Sequence, residues 1–393
     1  MRLARLLAVR ILSAASRLLP RHLSTWSSAM AHELIAIDDD RAALAFAAGC
    51  LRAALSLAIA ARVRSAASAV RTLLFPSAPF SWSLPTMNGI SARPRLLGLL
   101  CGAAAVGIGM AYMQAAGAPS RYLLVNLAAL VLGATAWLAL GGAARSRLAG
   151  SGRATLAMSA ALLMTAGFGV AAEGASRWVS VGPLTLQVSL ILLPVMIILY
   201  ARRPDAPGTG GMAVAALALA LQPDRAMAGV LAAAMIVVGI ENRRRLPILA
   251  ASVSAAAFGW TLIRPDSLGA TAFVDRVLYT AFDVHPLAGA AVAIGAAALV
   301  VPAAAGLWKG AGDRSALLAF GACWSAAVAA AALGNCPTPL VGYGGSAVLG
   351  YLLSVSLLPG GARRGEAAAF GSSAPRGPGP DDILSELRAA PSA

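Results

Sequence analysis

The sequence predicts an all-α polytopic membrane protein of about ten transmembrane helices, preceded by a small helical prefix. Three observations carry that expectation. The 393 residues are 59% hydrophobic and only 12% charged, whereas soluble domains are roughly a quarter charged. From Leu96 onward, apolar runs alternate with short polar breaks, and most of the runs match the length a helix needs to cross roughly 30 Å of hydrocarbon. The cations also segregate between alternate loops, as a correct register of spans requires.

Residues 1–92 differ in kind from the rest of the chain. Arg2, Arg5 and Arg10 interleave with Leu and Ala at helical spacing, without the unbroken apolar core and small-residue cleavage site of a secretory signal. An interfacial helix fits better. Trp26, Met30, Glu33, Leu34 and Ile37 place a largely apolar stripe on one helical face. The run 42–61 is apolar enough to suggest an eleventh span, but Arg52 at its centre would cost about 2.5–3.5 kcal/mol in hydrocarbon. It is read as an interfacial or re-entrant helix.

Residues 93–360 form the expected membrane domain. Its apolar segments are 96–115, 122–142, 154–172, 187–201, 211–222, 226–240, 246–263, 275–307, 317–334 and 343–359. One set of loops collects Arg93, Arg95, Arg145, Arg147, Arg153, Arg202, Arg203, Arg243, Arg244, Arg245, Lys309, Arg314, Arg363 and Arg364, against Arg121, Arg177, Arg225, Arg264 and Arg276 in the other. Fourteen cations against five put both ends of the domain in the cytoplasm. Residues 361–393 read as a disordered cytoplasmic tail rich in Gly and Pro, closing with a short helix over 381–390.

The net charge of +15, carried by arginines apart from Lys309, fits loops facing anionic lipid better than a nucleic-acid partner. Cys50, Cys101, Cys323 and Cys336 show no CxxC spacing, and the chain has three histidines. Neither a disulfide framework nor a metal cage is signalled.

Polar groups beside apolar spans are expensive and therefore informative. Four clusters qualify: Gly174 to Pro183 with Gln187 and Ser189 behind it; Gln222-Pro223-Asp224-Arg225; Arg264 through Asp275-Arg276 to Asp283 and Gly289; and Asn335 to Ser346. Each has an ordinary reading. The first is an external loop with an interfacial Trp178, and the second a turn in which Asp224 caps the next helix and Arg225 pairs locally. In the third, Asp275 forms a surface ion pair with Arg276. The fourth is a Pro- and Gly-broken loop, and it lacks the Lys of a phosphate loop.

In order, spacing and sidedness the four clusters together resemble the SEDS family, the FtsW, RodA and SpoVE type of peptidoglycan glycosyltransferase. That family carries G-A-x-R-W-x-x-x-G followed by Q-P-S-E, then Q-P-D, then an external Asp in T-D-F-I-F, and last P-L-P-x-x-S-Y-G-G-S. The counterparts here are Gly174-Ala175-Ser176-Arg177-Trp178 with Gly182, Gln187-Val188-Ser189-Leu190, Gln222-Pro223-Asp224, Val274-Asp275-Arg276, and Pro337 to Tyr343-Gly344-Gly345-Ser346. The resemblance spans about 96–359. There are departures: Leu190 stands where the family has Glu, Val188 where it has Pro, and Leu193 where a Lys usually comes next. The external loop before Asp275 is short, and Asp283 replaces one Glu of the E-E-x-G found after the family's Asp.

The resemblance implies a multi-pass protein of the bacterial inner (plasma) membrane acting in cell-wall synthesis during division, elongation or shape control. It implies polymerisation of lipid II, the undecaprenyl-pyrophosphate-linked disaccharide-peptide precursor, alongside a class B penicillin-binding protein. Asp275 takes the place of a general base for the acceptor hydroxyl. Arg177, Arg225, Arg264 and Arg276 are the cations suited to the pyrophosphate, and Trp178, Gln187, Gln222, Asp224, Asp283, Tyr343, Gly344, Gly345 and Ser346 join them as substrate-binding positions. No organic cofactor is evident, and a divalent cation would suit the pyrophosphate without a dedicated cage being signalled. Two alternatives stay open. The missing Glu and Lys favour a non-catalytic paralogue that binds precursor or transpeptidase as a scaffold. An unrelated transporter would call for internal repeats and midplane acids, and neither is seen.

Overall fold

The computed structural model describes residues 2–19, 25–74, 93–140, 152–172, 175–182, 184–264, 269–334 and 336–360. The expected tail, 361–393, with its closing helix, lies outside them, as do Gly174, Pro183, Pro265, Asp266 and Asn335.

Three helices precede the membrane domain: α1 (Arg2–Leu18), α2 (Thr25–Ala36) and α3 (Asp40–Leu74). Ala8, Leu12, Leu34, Ala43 and Ala47 form a buried cluster of their own. Arg5 ties the group together at the end of α2. Its guanidinium donates to the carbonyls of Ile37 (2.6 Å), Leu34 and Ile35 (both 3.3 Å), so one cation satisfies carbonyls left free at a helix end. Of the expected apolar stripe, Leu34 is buried and Trp26 is 54% exposed. The segment 42–61 is part of one 35-residue helix rather than a separate short element. Loss of amphipathic periodicity over such a length is why its ends were not legible.

The membrane domain comprises α4 (Pro94–Ala115), α5 (Ser120–Ala139), α6 (Gly152–Phe168), β1 (Val170–Ala172), β2 (Ala175–Val181), β3 (Leu184–Gln187), α7 (Val188–Arg202), α8 (Ala206–Leu221), α9 (Arg225–Asn242), α10 (Arg245–Leu262), α11 (Val277–Val284), α12 (Pro286–Ala298), α13 (Val301–Trp308), α14 (Arg314–Leu333) and α15 (Gly345–Ser356). Each of the ten expected apolar segments overlaps at least one of these helices. Among the described residues α4, α5, α9, α10 and α14 are long and apolar enough to cross a membrane, and α12 with α13, bent by 48°, make a sixth crossing if taken as one span. Helices α7, α8 and α15 are apolar but shorter, at 15, 16 and 12 residues. The chain is an all-α multi-pass membrane protein.

Helix α7 is the centre of the bundle. Leu193, Met196, Ile197 and Ile198 have no exposed surface, and Leu190 and Tyr200 are nearly as buried. A helix apolar on every face belongs inside others, and α6, α9, α14 and α15 pack around it. Leu190 and Leu193, at the family's Glu and Lys positions, are therefore enclosed in hydrocarbon packing.

The two ends of the bundle differ as the loop charges predict. At one end Arg202 pairs with Asp313 (3.3 Å) and Arg314 with Glu241 (3.1 Å). At the other end lie the turns around 116–120, 222–225 and 336–345 and the three strands. The strands are a departure from expectation: β2 lies within 174–183, read as an external loop, and pairs with β1 and β3 in an antiparallel sheet ordered β1-β2-β3. Gly182 has φ +60° and comes after Val181, which pairs with Leu184 in the β2–β3 hairpin. That is the tight hairpin for which a positive φ is needed.

Candidate functional site

Two polar networks lie at the hairpin end of the bundle, and the segment Pro337–Ser346 joins them. The first begins where β3 runs into α7. Asp224 caps α9 by accepting from the Met227 amide (3.2 Å). Its other oxygen accepts from Ser189 Oγ (2.9 Å) and Gln187 Nε2 (3.1 Å). All three residues are buried, and a carboxylate so placed is held by the charge-assisted bonds it accepts. Arg177 on β2 donates to the carbonyls of Gln222 (3.3 Å) and Pro223, and Gln222 Nε2 donates to Leu162 (2.8 Å). Four of the sequence-selected residues, Arg177, Gln187, Gln222 and Asp224, thus meet around one helix start.

Arg225, the next residue, departs from expectation. It does not pair locally but reaches the carbonyl of Arg264 (3.0 Å), and its buried Nε has no partner. Arg264, Arg276 and Asp283 are exposed, and Trp178 is half-buried on the hairpin.

The second network holds Asp275, which is 8% exposed. One carboxylate oxygen accepts from the Thr271 amide (2.8 Å). Burial pushes the carboxyl above the usual aspartate range, and that hydrogen bond offsets part of the rise. Among the described residues no ion pair joins Asp275 to Arg276, so the surface-pair reading fails. The backbone explains why. Phe273 and Arg276 both adopt left-handed conformations, at φ +64° and +59°, which turn Arg276 outward while Asp275 stays in. Non-glycine residues in that region cost on the order of 1–3 kcal/mol each and persist only where their surroundings impose them.

The imposing element is the segment after Pro337. Asp275 and Pro337 form an antiparallel bridge, the Thr338 amide donates to Val274 (2.8 Å) and the Tyr343 amide to Phe273 (2.6 Å). Asn126 on α5, fully buried, clamps the same segment twice. Its Nδ2 donates to Gly342 (2.9 Å) and its Oδ1 accepts from the Gly344 amide (3.1 Å). Two residues on, Ser346 Oγ accepts from the Gln187 amide (3.0 Å). The Tyr-Gly-Gly-Ser stretch therefore ties the Asp275 turn to the Asp224 network, by the Tyr343 amide at one end and the Ser346 hydroxyl at the other. Tyr343 stacks on Tyr122 with centroids 3.9 Å apart, and Phe273 meets Tyr122 edge-on at 6.2 Å.

Asn126, Tyr122, Thr271 and Phe273 were not selected from sequence. Asn126 did carry a signal, as the one amide-bearing or charged residue in the apolar run 122–142, where such a group needs a partner. The aromatic contacts had none, because they join positions far apart in the chain.

No family model matches the chain, and no curated protein matches it in sequence. Solved structures do. The rod shape determining protein RodA of Thermus thermophilus superposes with a TM-score of 0.51 at 22% identity, over 67% of this chain and 94% of that one. A RodA variant with one aspartate replaced by alanine matches with the same score and identity, over 95% of its length. The fold is RodA-like. The likeness takes in nearly the whole RodA chain.

Proposed function

We propose that this protein is a peptidoglycan glycosyltransferase of SEDS type, polymerising undecaprenyl-pyrophosphate-linked disaccharide-peptide, with Asp275 as its general base. The observation that carries the reading is a buried aspartate without a cationic partner among the described residues, its carboxyl raised by desolvation, in a RodA-like fold. A carboxylate with a raised pKa is a better base for a sugar hydroxyl. It takes the proton as the hydroxyl oxygen bonds to the donor's anomeric carbon and the bond to pyrophosphate breaks. Arg225, with its Nε unpartnered, and the exposed Arg264 and Arg276 would receive the leaving pyrophosphate, where guanidinium offers paired donors. The Arg177, Gln187, Gln222 and Asp224 side chains are already bonded to the protein, so they act by holding β2, β3 and α9 in place. Trp178, Asp283, Tyr343, Gly344 and Gly345 complete the surface around the groups that bind substrate, while the buried Ser346, bonded to the Gln187 amide, holds β3 in place. A class B penicillin-binding protein is the proposed partner, the bacterial inner membrane the location, and the Arg-rich end of the bundle its cytoplasmic face.

One observation favours a second reading. Leu190 and Leu193 are packed in apolar surroundings where the family has charges, so a scaffold that binds precursor or transpeptidase without catalysis keeps the same fold. Polymerisation of fluorescent lipid-linked precursor by the protein in lipid, with and without the transpeptidase, separates the two. The proposal expects glycan strands from wild type and a loss of about a hundredfold or more in Asp275→Ala, the scale of a missing general base. Binding of precursor or transpeptidase without polymer in any condition would establish the scaffold.

A further inference from the structure

Helices α9 and α10 leave between them an apolar groove of about 450 Å³, lined by Ile236, Ile240, Ile248, Ala251 and Ser252 and closed at one end by Arg243. Both helices are long and apolar enough to cross a membrane, and Ile236, Ile240 and Ile248 are 43%, 64% and 50% exposed. In a spanning pair such a groove opens onto hydrocarbon. It runs from Ile236 to Arg243, about 10 Å of helix rise, enough for the upper part of one acyl chain.

The charge at its end is unusual in its density and freedom. Arg243 leaves α9 in a left-handed conformation, φ +50°, with its amide on Gly239. The chain then reverses so tightly that α10 starts at Arg245. Three consecutive arginines, Arg243, Arg244 and Arg245, are thereby gathered at one corner, all exposed. The nearby acid does not neutralise them, because Glu241 is taken by Arg314 at 3.1 Å. Among the described residues none of the three makes an ion pair.

We infer that this corner is a binding site for one anionic phospholipid of the bilayer, its acyl chain in the α9–α10 groove and its phosphate on Arg243 to Arg245. The shape supplies a slot for hydrocarbon and the arginines supply paired donors for phosphate. Three uncompensated cations disfavour the ammonium of a zwitterionic headgroup. Phosphatidylglycerol has the matching chemistry: one negative charge, no ammonium and two chains, of which one fills the groove and the other stays in the bilayer. This inference rests on the membrane fold and is independent of the proposed chemistry.

Native mass spectrometry of the full-length protein released from detergent tests it, with phosphatidylglycerol or phosphatidylethanolamine of the same chains at equal concentration. The expected result is one phosphatidylglycerol retained under activation that strips phosphatidylethanolamine. The bound fraction should fall at least fivefold when Arg243, Arg244 and Arg245 are all changed to Ala, and should largely persist in Arg243→Lys. Ser252→Phe, which fills the groove without touching the arginines, should lower it as much, and Arg203→Ala at the same end of the bundle should not. Equal retention of the two lipids, or full retention in the triple variant, overturns the inference. Retention that survives Ser252→Phe but is displaced by millimolar inorganic phosphate also overturns it, since the arginines would then be a free-phosphate site alone.

Discussion

At the scale of single residues, Asp275 carries the strongest prediction because its burial and its chemistry pull in different directions. Its carboxyl is raised above the ordinary aspartate value of 3.8, mainly by desolvation. An acid whose pKa is higher folded than unfolded binds more protons when folded, so ionising it costs stability as pH climbs from the unfolded value through the folded one. The cost is therefore larger at neutral pH than in acid. Asp275→Asn removes it while keeping an oxygen to accept from the Thr271 amide. The variant should therefore melt at the same temperature as wild type or higher at pH 7, with the difference vanishing toward pH 3, as thermal unfolding in detergent across pH would show. Polymerisation, in contrast, should disappear. In wild type its acid limb should sit above that of an unperturbed aspartate, because the base works only when deprotonated. A strongly destabilised Asp275→Asn would mean that the carboxylate is structural.

At the scale of elements, close helix approach makes the bundle possible and sets its weakest points. A Cβ added at Gly350 of α15 would lie 1.9 Å from the Leu190 carbonyl of α7, closer than any relaxation of side chains can accommodate. Gly350→Ala should separate α15 from the central helix and cost about 1–3 kcal/mol or more, as overpacking does. Because α15 begins directly after Gly344, the same shift would loosen the bonds from Asn126 and Ser346 that hold the Asp275 turn. A lower melting temperature with unaltered activity per folded molecule would show that the two are uncoupled. These elements also show what the sequence can and cannot tell. The apolar runs were legible because span length is a one-dimensional property, and the helix start at Asp224 because a cap is local. The β2–β3 hairpin was not, although Val179 and Val181 alternate along β2 toward Gly182. Seven-residue alternation is weak beside neighbouring spans and was outweighed by the polar composition of the stretch. The Asp275 turn was illegible for a different reason. Its left-handed residues, Phe273 and Arg276, have no glycine to announce them, and its shape is imposed by Asn126 and Tyr343, far away in sequence.

At the scale of the whole molecule, the proposed orientation follows from how the two ends of the bundle segregate charge from hydrogen-bonded structure. Arg202, Arg203, Arg243 to Arg245 and Arg314 gather at one end, and the Asp275 and Asp224 networks at the other. Positive loops stay cytoplasmic because the translocation step and the anionic inner leaflet both disfavour their export. The proposed orientation turns the networks outward, the side on which the proposed wall polymer would be made. Single cysteines test this in a background with Cys50, Cys101, Cys323 and Cys336 replaced by Ala. Ser120→Cys lies at the first residue of α5 and Arg203→Cys in the turn after α7, both exposed and at opposite ends of the bundle. In intact cells a membrane-impermeant maleimide should label the first and reach the second only after permeabilisation. The reverse pattern would put Asp275 in the cytoplasm and remove any access to a growing glycan strand. Labelling of both without permeabilisation would break the register of the ten segments, because the chain between the two positions must then cross an even number of times.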